Sequence, residues 1–186
     1  MQKMLTLFKR VKQGNKFLAI DEVEEGCEWV VRGEGIATQK IDGTCCAVIH
    51  GVFYKRHRVK QGKLKPTGWL HWSKDSEVVS GHGWSFVDDS NNDQYHREGY
   101  ENSKNKYGIL PNGTYELVGP KIQKNIYDLD RHELWIHGDI EEIGVPLFYD
   151  YLRNYLEHSY LEGIVWHHSD GRMVKIKRRD FGIQWP

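Results

Sequence analysis

Residues 162–177 read EGIVWHHSDGRMVKIK. Ser169-Asp170-Gly171 near the middle is typical of a tight turn, and the runs on both sides are rich in Val, Ile and other strand-forming residues. The stretch therefore predicts a hairpin of two antiparallel strands, 161–167 and 172–177.

Other short runs rich in Val, Ile, Tyr and Cys lie between Gly, Asn and Asp residues. These runs are 27–31, 35–40, 44–49 and 52–58. The pattern predicts further short strands, and His50-Gly51 suits a second hairpin between the last two runs. The predicted fold class is therefore α+β, built on antiparallel sheets with flanking helices.

One helix is predicted before the C-terminal hairpin. Pro146 stands where a first-turn proline would, and six apolar residues then recur at helical spacing. These residues, which we assign to the core, are Leu147, Phe148, Tyr151, Leu152, Tyr155 and Leu156. Between residues 62 and 112 the composition is polar and Gly-rich, which predicts loops around short strands.

Composition narrows the class of protein. The 186 residues suit a single domain over 1–186, and Lys plus Arg and Asp plus Glu both number 26, so any basic site must be local. The absence of a membrane-spanning run and of a signal peptide predicts a soluble cytoplasmic protein with no membrane partner. Cys27, Cys45 and Cys46 lack the spacing of disulfide or zinc sites and are expected to be reduced. No obligate protein partner is evident.

Two segments before the C-terminal hairpin carry candidate chemical groups. Lys40-Ile41-Asp42-Gly43 places a lysine at the end of a predicted strand, beside a carboxylate and a turn. A surface lysine before a turn would give the same pattern. Residues 114–125 form a strand that carries Glu116 into a Gly-Pro turn, which alone is only a strand end.

The C-terminal hairpin carries the third set of groups. Lys175 and Lys177 lie on one face of their strand because strand side chains alternate, and Val174 and Ile176 lie on the other. Two ammonium groups next to apolar residues are poorly explained as core. The alternative is an exposed edge strand protected by lysines against aggregation.

Together these residues are the parts that nucleotidyl transfer to a lysine requires. Lys40 must lose its proton before it attacks the α-phosphorus of ATP, and cations such as Lys175 and Lys177 favour that loss. Charge on the phosphoryl oxygens and on pyrophosphate requires Mg²⁺ (or Mn²⁺) and a carboxylate to hold the ion. Glu162 is the candidate carboxylate.

The ordered motifs resemble those of the ATP-dependent ligase and capping-enzyme superfamily of covalent nucleotidyltransferases. Within that superfamily, ELVGPKIQKN at 116–125 is similar to RNA ligases. TQKIDGTCC at 38–46, YKR at 54–56 and LEGIVWHHSDGRMVKIKRRDFGIQWP at 161–186 resemble the RNA ligase 1 family of 5′-to-3′ RNA ligases. The resemblance implies an adenylation domain with an ATP-grasp-like fold.

The resemblance also implies roles for individual residues. Lys40 would form the lysyl-AMP bond, and Asp42 would orient it. Glu116 would bind the ribose and Glu162 the metal ion. Lys175 and Lys177 would hold the α-phosphate and assist the release of pyrophosphate. The nucleotide contacts implied are Gln39, Lys40, Arg56, Glu116, Lys175 and Lys177.

The sequence departs from the superfamily pattern in three places. Cys45 stands where many ligases have an arginine that contacts phosphate, so Arg56 or Arg58 would replace it on the RNA phosphate. The usual Phe-Asp before the C-terminal motifs is absent, which leaves the adenine-stacking residue open between Trp135 and His137. No C-terminal oligonucleotide-binding (OB) domain is expected after the C-terminal hairpin that carries Lys175 and Lys177.

The expected function is ATP-dependent RNA ligation in RNA repair. The chain would adenylylate its own lysine, pass AMP to an RNA 5′-phosphate and join that end to an RNA 3′-hydroxyl. A DNA ligase, or a capping guanylyltransferase that uses GTP, would share the chemistry of nucleotidyl transfer to a lysine. A catalytically silent RNA-binding or nucleotide-sensing module of the same fold is the alternative from another class.

Overall fold

In this computed structural model the described residues are 4–60, 62–71 and 81–186, and they form two units. We call the described part of residues 42–137 the central unit, and residues 4–41 with 138–186 the terminal unit. Each unit has its own sheet and its own buried apolar cluster. The single domain predicted for 1–186 stays a prediction.

The described residues contain twelve strands and three α-helices. In chain order, the strands are β1 (Leu5–Thr6), β2 (Phe8–Gln13), β3 (Lys16–Val23), β4 (Ile36–Gln39), β5 (Thr44–Ile49), β6 (Val52–Arg58), β7 (Leu70–His71), β8 (His82–Phe86), β9 (Gly113–Val118), β10 (Glu133–Ile136), β11 (Gly163–His167) and β12 (Met173–Lys177). The helices are α1 (Glu28–Val31), α2 (Gln94–Tyr107) and α3 (Tyr149–His158). Not one helix in this part of the chain combines the length and the apolar character that a membrane crossing needs.

The terminal unit contains a four-stranded sheet in the order β1-β12-β11-β4. β11 runs antiparallel to both of its neighbours, and β1 runs parallel to β12. Val174 and Ile176 of β12 are buried in one cluster with Leu152 and Leu156 of α3. The core therefore lies on the face of β12 that strand alternation predicts. Burial of each of these side chains contributes roughly 1.5–3 kcal/mol to stability. The remaining strands of this unit, β2 and β3, form a separate antiparallel pair.

The central unit contains a six-stranded antiparallel sheet in the order β10-β9-β5-β6-β8-β7. β5 and β6 form the hairpin predicted around His50-Gly51, and both turn residues have positive φ (51° and 76°), as a two-residue turn of this kind requires. One face of the sheet packs against α2, where the ring of Phe53 stacks on that of Tyr100 at 4.6 Å.

The opposite face of this central sheet carries a separate cluster. Its buried members are Cys45, Ala47, Tyr54 and Trp84. Cys45 and Cys46 therefore lie on opposite faces of β5, as alternation predicts, because Cys46 belongs to the cluster next to α2.

The mostly antiparallel sheets and the few helices confirm the mixed α/β class, and the ATP-grasp-like nucleotidyltransferase fold stays a prediction. Three local predictions are wrong. Residues 27–31 form helix α1 and not a strand, because Trp29 and Val30 are both buried and two adjacent buried residues fit either structure. The predicted helix begins at Tyr149, so Pro146 precedes its first turn. Tyr151 of that helix and Phe148, which precedes the helix, are each 71% exposed, so neither belongs to the core.

The largest error concerns α2, which occupies part of the predicted loop region 62–112. Its buried residues are the small Gly99 and Ser103, so no row of large apolar side chains marks the helix in the sequence. The small residues allow close approach, since a Cβ at Gly99 would overlap the side chain of Leu117. Residues 72–80 of the same prediction lie outside the described residues.

Gly163 fixes how closely β11 approaches β12. It pairs with Lys177, and a Cβ at this position would overlap the carbonyl oxygen of Ile176 and lie 2.8 Å from the Cα of Lys177. Because both obstacles are backbone atoms, we expect Gly163→Ala to destabilise the protein by about 2–4 kcal/mol in urea unfolding.

The matched control for this prediction is Gly113→Ala, at the start of β9. There a Cβ would meet only ordinary contacts, at 3.9 Å from Ile136 and 4.0 Å from Tyr115. Equal urea midpoints for the two variants would show that the backbone around Gly163 can shift to accommodate a Cβ at little cost in stability.

Candidate active site

Lys40 follows the last residue of β4 in the terminal unit. Its backbone N–H donates to the carbonyl oxygen of Gly163 at 2.9 Å, which continues the pairing between β4 and β11. Its Nζ lies 2.6 Å from Oε2 of Glu162, the residue that precedes β11. The two side chains are 19% and 11% exposed. Strand pairing therefore brings the predicted nucleophile and the predicted metal ligand into one ion pair.

Lys175 and Lys177 lie on the same face of this sheet as Lys40. Gly163 pairs with Lys177 on one side and accepts the hydrogen bond from Lys40 on the other. Val165 pairs with Lys175. Three ammonium groups and one carboxylate are thus gathered at one end of the terminal sheet, which is a charge balance suited to an anion.

Burial weakens the protonated state of both lysines of β12. It is the largest cause that lowers the pKa of Lys175, and the charge of Lys40 is the next. Burial also lowers the pKa of Lys177 to about 8, followed by repulsion from Arg179. A bound phosphate would offset this cost, because it supplies the negative charge that the buried ammonium groups lack.

Asp180 partly balances the charge of Lys177. This carboxylate is 2% exposed, accepts the backbone N–H of Lys177 at 3.0 Å, and lies 3.4 Å from the guanidinium of Arg10. The sequence interpretation missed both partners, although Asp180 lies only three residues after Lys177.

The edge-strand alternative for Lys175 and Lys177 is wrong. β12 lies between β1 and β11 and so has a neighbour on each side. Lys177 is 5% exposed, whereas a lysine that protects an edge must reach solvent.

Gln39 lies on the opposite face of the terminal sheet from Lys40. It pairs with Ile164, and its Nε2 donates to Oε1 of Glu142 at 2.5 Å. The hydroxyl of Tyr155 in α3 donates to Oε2 of the same carboxylate at 2.8 Å. Burial, followed by this hydrogen bond, raises the pKa of Tyr155 to about 12. The sequence interpretation placed Tyr155 in the core and missed its polar role.

The other predicted site residues belong to the central unit. The backbone N–H of Asp42 donates to the hydroxyl of Tyr127 at 2.7 Å, and the carbonyl oxygen of Gly43 accepts from Gln123 at 3.3 Å. Gln123 has φ 42°, a conformation that is strained for a residue with a side chain. The segment after β9 therefore holds the turn after Lys40, a role that the sequence did not indicate.

Glu116 lies near the middle of β9, on the face of the central sheet opposite α2. Cys45 and Trp135 are its partners on the two neighbouring strands. Its Oε1 lies 3.2 Å from Nε2 of His137. Arg56 and Arg58 of β6 are exposed and point to one side of their strand, as predicted.

The two candidates for adenine stacking are both held by neighbours. The ring of Trp135 lies 4.9 Å from that of Tyr127, with 44° between the ring planes. His137 contacts Thr114 and Glu116. Both rings lie on the face that carries Glu116, and the choice between them stays open.

Comparison with known proteins supports the resemblance in the second part of the chain. Residues 103–186 match the model of the RNA ligase 1 family. Curated proteins named RNA ligase 1 from Pongo abelii, Rattus norvegicus and Danio rerio are 38%, 35% and 32% identical over 82 residues. These alignments cover 39% of this chain, and the chain spans about a quarter (25%) of the length of those relatives.

The matched part of the chain contains some of the predicted site residues but not all of them. Glu116, Glu162 and the two lysines of β12 lie within residues 103–186, whereas Lys40 and Asp42 precede them. The suspected similarity to RNA ligase 1 is therefore confirmed for the C-terminal part of the chain. For Lys40, the argument rests on its ion pair with Glu162.

Proposed function

We propose, from the similarity of residues 103–186 to RNA ligase 1, that this chain is an ATP-dependent RNA ligase whose Lys40 becomes linked to AMP. The observation that carries the proposal is the contact between Lys40 Nζ and Glu162 Oε2, at 2.6 Å. It joins a residue outside the matched part of the chain to one inside it. The half-buried Lys175 and the buried Lys177, on the same sheet face, add the positive charge that a triphosphate requires.

In the first step the Lys40 ammonium releases a proton, and its nitrogen attacks the α-phosphorus of ATP. A nitrogen–phosphorus bond forms, the bond from that phosphorus to the pyrophosphate oxygen breaks, and pyrophosphate leaves. Lys175 and Lys177 would hold the phosphate oxygens while negative charge moves toward the leaving group. Fixed cations in a half-buried site act more strongly than cations in water.

The resemblance implies Mg²⁺ or Mn²⁺, and the donor set of the terminal unit fits such an ion. Mg²⁺ keeps several waters and is usually held by one or two carboxylates together with substrate phosphates. Glu162 would supply the carboxylate, since its side chain is 11% exposed. Once bound, the ion would neutralise charge on the phosphates.

In the later steps AMP would pass from Lys40 to the 5′-phosphate of an RNA, and an RNA 3′-hydroxyl would then displace AMP. In this proposal the chain is an adenylation domain of the nucleotidyltransferase type, and these reactions serve RNA repair. The roles of Gln39, Asp42 and Glu116 in this scheme stay predictions.

The direct test is incubation of the purified chain with Mg²⁺ and ATP labelled at the α-phosphate. We expect label that stays with the denatured polypeptide, withstands alkali and is released by warm acid, as a lysine phosphoramidate is, and no label when GTP replaces ATP. Label from GTP would indicate a capping enzyme. Binding of ATP without covalent label would indicate the silent nucleotide-sensing module.

Arg56 tests the assignment of RNA as the acceptor. If its guanidinium binds the 5′-phosphate of RNA and not the phosphates of ATP, Arg56→Ala should leave labelling of the protein largely intact and slow AMP transfer to RNA by about 10- to 100-fold. That range corresponds to a charge-assisted hydrogen bond worth about 1.5–3 kcal/mol. Arg56→Lys should recover only part of the rate, because the lysine keeps the charge and loses the paired geometry.

The measurement uses protein already carrying AMP, mixed with RNA or DNA that bears a 5′-phosphate. Arg58→Ala, two residues along the same exposed side of β6, is the comparison variant. If Arg56→Ala transferred AMP normally and Arg58→Ala transferred it slowly, the contact with the RNA 5′-phosphate would be assigned to Arg58.

A further inference from the structure

Three side chains with metal-binding atoms converge on the face of the central sheet opposite α2. Cys45 of β5 and Glu116 of β9 are direct partners across their strands. His137 follows β10, which pairs with the other edge of β9. The sulfur, a carboxylate oxygen and a ring nitrogen of this trio all lie within 4.8 Å of one another.

The carboxylate of Glu116 has a buried oxygen that requires a partner. Oε1 contacts Nε2 of His137 at 3.2 Å, whereas no hydrogen-bond donor among the described residues reaches Oε2. A buried carboxylate oxygen without a donor is costly, and such atoms in folded proteins commonly contact water or an ion. A cation between Glu116 and its two neighbours would satisfy this oxygen.

The ring of His137 is already oriented for a ligand. Its Nδ1 lies 2.8 Å from Oγ1 of Thr114, and its Nε2 faces Glu116. In metal sites the ring nitrogen that does not bind the metal usually makes such a hydrogen bond, which fixes the ring and its protonation state. Thr114 would play that part here.

From this geometry we propose that Cys45, Glu116 and His137 bind Zn²⁺. Thiolate, imidazole and carboxylate together are ligands of zinc, whereas Mg²⁺ prefers oxygen alone. Ligand atoms around tetrahedral zinc lie roughly 3.3–3.8 Å apart, as bond lengths of about 2.0–2.3 Å require. Small side-chain rotations would close the trio to that spacing. The half-exposed ring of His137 leaves a side open for a fourth ligand such as water.

This proposal does not rest on ligase activity. It is tested without ATP, because the resemblance assigns Glu116 to the ribose and leaves His137 as a candidate for adenine stacking, so zinc and nucleotide would compete for these residues. Co²⁺ is the probe, because a thiolate bound to cobalt absorbs in the near ultraviolet and Zn²⁺, which does not absorb there, displaces it. The full chain, kept reduced and free of metal, should take up one Co²⁺ per chain with a thiolate band that Zn²⁺ removes.

The neighbouring cysteine supplies the matched control. Cys45→Ala should remove the thiolate band, whereas Cys46→Ala, on the opposite face of β5, should keep it. Thr114→Val removes only the group that orients the ring, and it should weaken metal affinity by about 10- to 100-fold. Circular dichroism checks that each variant is folded.

Two results would overturn the zinc site. One is a wild-type chain that binds Co²⁺ without any thiolate band, or does not bind it. The other is a thiolate band that persists in Cys45→Ala and disappears in Cys46→Ala. Because the wild-type spectrum alone can refute the proposal, a variant that fails to fold does not leave it undecided.

Discussion

Replacing Lys40 with alanine should reduce covalent AMP labelling by at least about 10³-fold, to below detection. The methyl group that replaces the amine cannot attack phosphorus. The substitution also leaves Glu162, 11% exposed, without its ammonium partner, so a loss of about 1–3 kcal/mol in stability is expected. Labelling with α-phosphate-labelled ATP measures the first effect, and thermal unfolding measures the second.

Lys40→Arg separates these two effects. Arginine keeps a positive charge beside Glu162 and therefore keeps most of the stability, but it stays protonated and cannot act as the nucleophile. Lys121→Ala, an exposed lysine in the segment after β9, should label normally. Wild-type labelling of either Lys40 variant would refute the assignment of Lys40.

Glu162→Gln should slow adenylylation by on the order of 10²-fold and raise the Mg²⁺ concentration needed for half-maximal labelling. The amide has nearly the shape of the carboxylate, but it offers no negative charge to a cation. The same change removes the anion that lies 2.6 Å from Lys40 and leaves three ammonium groups without it. A metal titration at fixed ATP measures the shift.

The control for this variant is Glu157→Gln, an exposed carboxylate on α3. Its metal titration should match that of the wild type, since no hydrogen bond or ion pair in the described part of the chain joins it to the lysines of β12. If Glu162→Gln gave the wild-type titration with a lower maximal rate, Glu162 would position Lys40 without binding metal.

Sequence alone predicted the part of the site that depends on local periodicity. Alternation within β12 placed Lys175 and Lys177 on one face and their apolar neighbours in the core, and turn residues located both hairpins. These features depend on residues within about ten positions of one another. A single short segment therefore contains the information that predicts strand faces and hairpin turns.

The parts that sequence missed depend on pairing between distant segments. The trio of Cys45, Glu116 and His137 comes from β5, β9 and the end of β10, so its members have no characteristic spacing. Tyr127 and the turn that it holds are likewise separated by most of the central unit. Helix α2 was not predicted for a different reason, because the residues that it buries are small and form no apolar row in the sequence.

The proposed attachment of AMP to Lys40, the cation of the ion pair with Glu162, has an electrophoretic consequence. Attachment of AMP replaces the Lys40 ammonium with a nearly neutral nitrogen and adds a phosphate anion, so the chain becomes more negative by about two charges. The unmodified chain has a formal net charge of +0 at pH 7 and a sequence pI near 7.2, where such a change is large in relative terms. Loaded and empty chains should therefore separate on an isoelectric focusing gel.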